Sequence, residues 1–123
     1  MTAPIQTFQQ LVDAYLNAAF EGDLSTLRAI FDPAADLRWQ ESGILHVISV
    51  SDWLEGVKDR RSSKADGHQR RDFIMMMDHA DESLSIAKFL TRTPTGMFTV
   101  YLTGCRLAGG WKIISKTYRY DLF

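Results

Sequence analysis

The chain has 123 residues, 46% of them hydrophobic and 24% charged, with a net charge of -1. That length suits one domain over residues 1–123, in which roughly two thirds of the unfolded surface can be buried, so a true core is expected. The composition excludes a disordered chain, the near-neutral charge argues against nucleic-acid binding through bulk electrostatics, and no run approaches the roughly 20 apolar residues of a spanning helix, so no membrane partner is expected.

The opening MTAPIQTFQQ has neither a basic start nor an apolar signal core, and the default expectation is a cytoplasmic protein. The one cysteine, Cys105, has no second cysteine to pair with; in a central strand it reads as a small buried hydrophobe.

Thr2 reads as the cap of a first helix beginning near Pro4, along which Ile5, Phe8, Val12, Tyr15, Leu16, Ala19 and Phe20 recur at three- and four-residue spacing. Gly22 ends it. Asp23 caps a shorter helix with Leu24, Leu27, Ile30 and Phe31 on one face, and Asp32-Pro33 stops that helix. From Ala35 the period becomes two, with Ala35, Leu37 and Trp39 alternating with polar residues. Ile44 to Ile48 form a second short strand after the turn Glu41-Ser42-Gly43. Ser49 and Asp52 mark the start of a third helix carrying Trp53, Leu54 and Val57.

Lys58 to Arg71 has no apolar periodicity and sets six cations against Asp59 and Asp66. It reads as a mobile, solvated loop; the alternative is a rim that attracts anionic ligands or a partner. Asp72 to Asp78 and Ser85 to Thr91 read as antiparallel neighbours, with Met75, Met76 and Met77 as adaptable core filler or as part of a pocket for a flat ligand. The last stretch, Gly96 to Tyr120, is a hairpin turning at Ala108-Gly109-Gly110. Its first strand is apolar on both faces, with Met97, Tyr101, Cys105 and Leu107 on one and Phe98, Val100 and Leu102 on the other.

Helices first and long antiparallel strands last make an α+β chain in which one face of a curved sheet packs on helices. Such a sheet wrapped around a long helix leaves a conical cavity suited to a small molecule. Three segments carry a resemblance to a known family: Tyr15 with EGDL from Glu21 to Leu24, FDPAADL from Phe31 to Leu37, and FTVYLTGCRLAGGWKIISKTY from Phe98 to Tyr118. The chain resembles the nuclear transport factor 2-like superfamily and, within it, the putative lumazine-binding proteins. The resemblance implies a cone-shaped α+β fold, cystatin-like in its curved antiparallel or mixed sheet, and frequent homodimers through the outer sheet face. The family typically has aspartate where this chain has Val100.

The superfamily also holds steroid isomerases, in which an aspartate base works with a tyrosine and a protonated aspartate. Lining the chain up with them keeps the tyrosine as Tyr15 but places Trp39 at the base and Thr103 at the second acid. Indole is no base, so proton abstraction by that route is not expected. Dehydratases of the fold use histidine with tyrosine, which makes Tyr15, His46 and His79 the catalytic candidates for a lyase or isomerase; each histidine also reads as a surface or hydrogen-bonded structural group. His68, inside the polar loop, carries less. No HxH, HExxH, CxxC or phosphate-cradling glycine pattern occurs, so neither a metal nor a cofactor is expected.

The remaining constellation is one for binding. Strand alternation puts Lys116, Tyr118 and Tyr120 on one face, and the resemblance turns that face into the cone; Thr99, Tyr101 and Thr103 join it from the adjacent strand, Tyr15 from the first helix, and Trp39 and Trp53 as walls. The alternative is that the tyrosines cover sheet surface while Lys116 snorkels to solvent. A buried lysine needs a carboxylate or an anionic ligand, so an aromatic or carboxylate-bearing ligand is expected. A homodimer is expected around Phe98, Val100 and Leu102, with a dimerising interaction module as a further functional class.

Overall fold

The computed structural model describes residues 4–123. The expected cap Thr2 lies outside them, and the first helix, α1 (Phe8–Glu21), starts later than Pro4 because Thr7 caps it: its hydroxyl accepts from the Gln10 amide at 3.1 Å. Gly22 ends α1 with φ 72°, a left-handed conformation that costs a glycine little. Asp23 then caps α2 (Leu24–Ile30), taking the Thr26 amide at 3.1 Å and the Thr26 hydroxyl at 2.6 Å, bonds that hold its carboxyl below the usual range.

Strand β1 (Phe31–Glu41) begins directly after α2, earlier than Ala35, and Pro33 sits where its pairing shifts register, so the missing amide removes no ladder bond. After β2 (Ile44–Ser49), the Ser49 hydroxyl caps α3 (Val50–Lys58) by accepting from the Asp52 amide at 3.1 Å. Four strands complete the chain: β3 (Asp72–His79), β4 (Leu84–Arg92), β5 (Gly96–Leu107) and β6 (Gly110–Leu122). They form one mixed, open sheet in the order β2-β1-β6-β5-β4-β3, with only the β1–β6 pairing parallel.

The core lies between this sheet and the helices. Phe8, Leu11, Val12, Tyr15 and Leu16 of α1 bury one stripe against Ala87, Phe89, Val100, Leu102, Trp111 and Ile113 of the sheet. Gly104 lets the helix approach closely, since a Cβ there would stand 2.7 Å from the Phe8 ring and 3.0 Å from Leu11. Gly104→Ala is therefore expected to destabilise the fold by about 1–3 kcal/mol through overpacking, read as a lower urea midpoint at unchanged slope; an unchanged midpoint would refute the close contact.

The hairpin register departs from simple alternation. From the turn, Leu107 pairs with Gly110 and Gly104 with Ile113, but Thr103 pairs with Ser115, so Ile114 is the extra residue of a bulge. Beyond it Leu102 faces Lys116 and Val100 faces Tyr118 across the pair. Two expectations are corrected by this. Tyr101 and Thr103 stand on the outer face, not beside Lys116. Val100 and Leu102 are 2% and 0% exposed in the core, and Phe98 is half-buried against Tyr118, so these three are not a free subunit contact.

Three further expectations change. Cys105 is only half-buried. Met75 and Met76 are exposed and Met77 is half-buried, because β3 is a sheet edge with a register shift between Ile74 and Met76. The segment after α3 is not a free loop: the Lys64 amide bonds the Phe20 carbonyl at 3.2 Å, Arg70 bonds Asn17, and Lys64 meets Glu21 at 3.5 Å.

Candidate functional site

Between α1, α3 and the inner face of β1, β5 and β6 lies a cavity of about 490 Å3, within the range of small-molecule sites. Its buried floor is formed by Tyr15, Leu16, Leu27, Val100 and Lys116. Trp39, Ile48, Trp53, Val57, Phe98 and Tyr118 are half-buried walls. Arg60, Arg61, Arg70, Arg71 and Arg92 stand exposed around the opening, with His68 and Gln69 from the segment that precedes β3. No aspartate or glutamate lines the cavity among the described residues.

Lys116 is the centre of the site. It is 7% exposed, and no ion pair or hydrogen bond holds its ammonium among the described residues. Three aromatic rings surround it: Nζ lies 4.6 Å from the Trp53 ring, 5.0 Å from that of Tyr118 and 5.3 Å from that of Tyr15. These rings favour the charged amine through their π faces, but burial, with the positive charge of Arg60 behind it, dominates and pulls the lysine down to about 7. Burial has the opposite sign for the phenols. It raises Tyr15, reinforced by the negative charge of Asp72, and it raises Tyr118, so both hydroxyls stay protonated near neutrality.

The aromatic walls are braced. Trp39 stacks on Tyr118 at 5.5 Å and on His46 at 5.1 Å, and its Nε1 donates to Glu41 at 3.0 Å. Trp53 packs on Phe31 at 5.4 Å, while Tyr15 packs on Phe89 at 5.6 Å. Tyr120 is absent from the lining; its hydroxyl is tied to Thr95 at 2.8 Å and Thr93 at 3.1 Å. Among the arginines, Arg61 pairs with Asp66, and Arg70 pairs with Asp72 at 2.6 Å. Arg60, Arg71 and Arg92 have no carboxylate partner among the described residues, which leaves the opening positively charged.

Of the expected ligand-binding residues, the fold thus brings together Tyr15, Trp39, Trp53, Lys116 and Tyr118, and it excludes Tyr101 and Thr103. The candidate histidines His46 and His79 do not line the cavity, whereas His68 does. His46 stacks on Trp39 from the neighbouring strand β2, and exposed His79 sits at the end of β3, where Nδ1 meets the Ser85 hydroxyl at 2.5 Å and its ring meets Phe8 edge-on. Sequence reasoning offers the cationic segment as a rim for anionic ligands only as the alternative to a solvated loop, and it does not include Arg92. The signal is the cationic run from Lys58 to Arg71, whose position over the cavity depends on contacts with α1. Among the described residues no group of acidic, histidine or cysteine side chains is placed to hold a metal ion.

The chain matches, over residues 3–119, the family described as "Putative lumazine-binding". It belongs to that family. Solved structures of the nuclear transport factor 2-like fold resemble this member closely in shape. One from Silicibacter pomeroyi, of unknown function, is 22% identical with a TM-score of 0.79, covering 94% of this chain and 93% of its own. Another of unknown function, from Shewanella baltica, is 15% identical with a TM-score of 0.79 and coverage of 93% and 90%. A ketosteroid isomerase-like protein from Erwinia carotovora atroseptica is 12% identical with a TM-score of 0.69 and coverage of 91% and 92%. At such identities the likeness is one of fold. No curated protein matches the chain. This lumazine-binding family member contains no helix, among the described residues, long and apolar enough to cross a membrane.

Proposed function

We propose that the cavity binds a flat, anionic small molecule, with its aromatic body between the walls Trp39, Trp53 and Tyr118 and its anionic group at the arginine opening. The observation that carries this reading is the charge of the lining: one buried lysine and five arginines, with no carboxylate among the described residues. Burying a lysine without a partner is costly, and a ligand that offers an acceptor to Nζ offsets that cost. The family description, which refers to a flat heteroaromatic compound, agrees with the aromatic walls. The same lining counts against a carboxylate-based isomerase, because no aspartate or glutamate lines the cavity among the described residues, and against a dehydratase built on His46 or His79, because neither reaches it; the histidine in the lining is His68, at the opening.

Because Trp39 and Trp53 form the walls, tryptophan fluorescence reports occupancy directly. 2-Naphthoate is expected to quench it and to bind at least about tenfold tighter than its methyl ester, equivalent to about 1.4 kcal/mol, with the difference shrinking at high salt and in Arg71→Ala. Equal affinity for acid and ester would remove the charge argument, and no quenching by either would remove the ligand site.

A further inference from the structure

We propose that Lys116 is an amine nucleophile, forming an imine with an aldehyde or ketone that carries an aromatic body and an anionic group. This rests on the ligand-binding reading of the same cavity and adds the substrate class. Three observations support it. First, Lys116 is the one lysine lining the cavity, whereas Lys58 pairs with Glu55 at 3.1 Å, Lys64 with Glu21 at 3.5 Å, and Lys112 donates to the Ala29 carbonyl at 2.6 Å. Second, no carboxylate lines the cavity among the described residues, and the rings of Tyr15, Trp53 and Tyr118 that surround Nζ line the same cavity, so the amine stands where a bound carbonyl compound would lie. Third, burial among apolar walls and a neighbouring cation are the two environments that free a lysine amine for covalent chemistry, and Lys116 has both, with Arg60 as the cation.

The step balances without an oxidant or reductant. The Nζ lone pair forms a bond to the carbonyl carbon, the C=O π pair moves to oxygen, and that oxygen takes a proton. Nitrogen gives up one proton, which replaces the one taken by oxygen, to leave the neutral carbinolamine; its second proton goes to the hydroxyl, which departs as water as the nitrogen lone pair forms the C=N bond. Tyr15 and Tyr118, whose rings flank Nζ and whose phenols remain protonated, are hydrogen-bond donors within the cavity for the carbonyl oxygen. Burial and the Arg60 charge lower the lysine well below its ordinary range, so a larger share of Lys116 than of an exposed lysine is the free amine at pH 7.

The test uses the full chain and the probe 4-carboxybenzaldehyde, limiting in amount, at pH 7 with sodium cyanoborohydride to reduce any imine to a stable secondary amine. Peptide mapping by mass spectrometry then compares Lys116 with the other four lysines. Lys116 is expected to be labelled at least about tenfold faster than any of them, and excess 2-naphthoate is expected to slow only that site. Labelling spread over the surface lysines, or a Lys116 that lags behind them, overturns the imine proposal even where 2-naphthoate binds by fluorescence. Fast labelling of Lys116 without any 2-naphthoate binding would instead uphold the amine chemistry and refute the anionic-ligand reading. The comparison is made within the native chain, so no variant has to fold for the result to count.

Discussion

Lys116→Met is expected to stabilise the protein at pH 7, and its advantage over the native chain should shrink by about 2 kcal/mol between pH 7 and pH 9. The sign follows from the direction of the shift. Folding lowers the lysine from 10.5 to about 7, so between those values the unfolded chain binds more protons than the folded one. Native stability therefore rises with pH across this window, and below pH 7 the penalty is constant. Methionine has similar length and no charge, so its curve lacks this slope. Tyr15 acts above the window and with the opposite sign: its phenol is raised in the fold, and stability is lost once the unfolded tyrosine ionises above pH 10. Urea unfolding at pH 7, 8 and 9 for both proteins measures the effect. Parallel curves would mean that Lys116 reaches water freely.

Leu102→Ala is expected to cost about 2–5 kcal/mol, a large share of the roughly 5–15 kcal/mol that holds a domain of this size together. The side chain is 0% exposed and lies on the inner face, opposite Lys116 in the hairpin. Its neighbour Tyr101 points outward and is exposed, with the Lys88 amine 5.6 Å from its ring, so Tyr101→Ala should cost less than about 1 kcal/mol. Chemical denaturation of the two variants reads the orientation of β5 directly. Comparable losses, or a larger one at Tyr101, would contradict the observed register.

That pair of residues shows where the sequence stops being informative. The expected pocket face, taken from strand alternation and the family resemblance, sets Tyr101 beside Lys116, the pairing that an unbroken register from Leu107 and Gly110 would give. A single extra residue, Ile114, moves Leu102 into that place and exchanges the two faces. The adjacent isoleucines Ile113 and Ile114 suit a strand covered on both sides as well as they suit a bulge. Their residue types therefore do not announce it, because the bulge is set by how both strands pack under α1. The aromatic cage is partly legible for the opposite reason. Tyr15 lies on a helix stripe whose period is unambiguous, Trp39 on an alternating strand and Trp53 after a clear cap, so each faces inward whatever the hairpin does. Lys116 is legible as a candidate through the family resemblance, but its lack of a carboxylate partner is not. His46 and His79 cannot be judged from spacing, since their distance from Tyr15 depends on strands far apart in the chain.

By itself, the sequence determined most local elements and the fold class: the helices with the caps of the two shorter ones, the turn glycines, the long final hairpin and the α+β order all follow from short-range periodicity and backbone stereochemistry. Tertiary structure decided the face each strand presents, the seating of the cationic segment over the cavity and the isolation of Lys116 among three rings. These are outcomes of register and burial, which depend on contacts between residues many positions apart and so leave no mark in the local pattern.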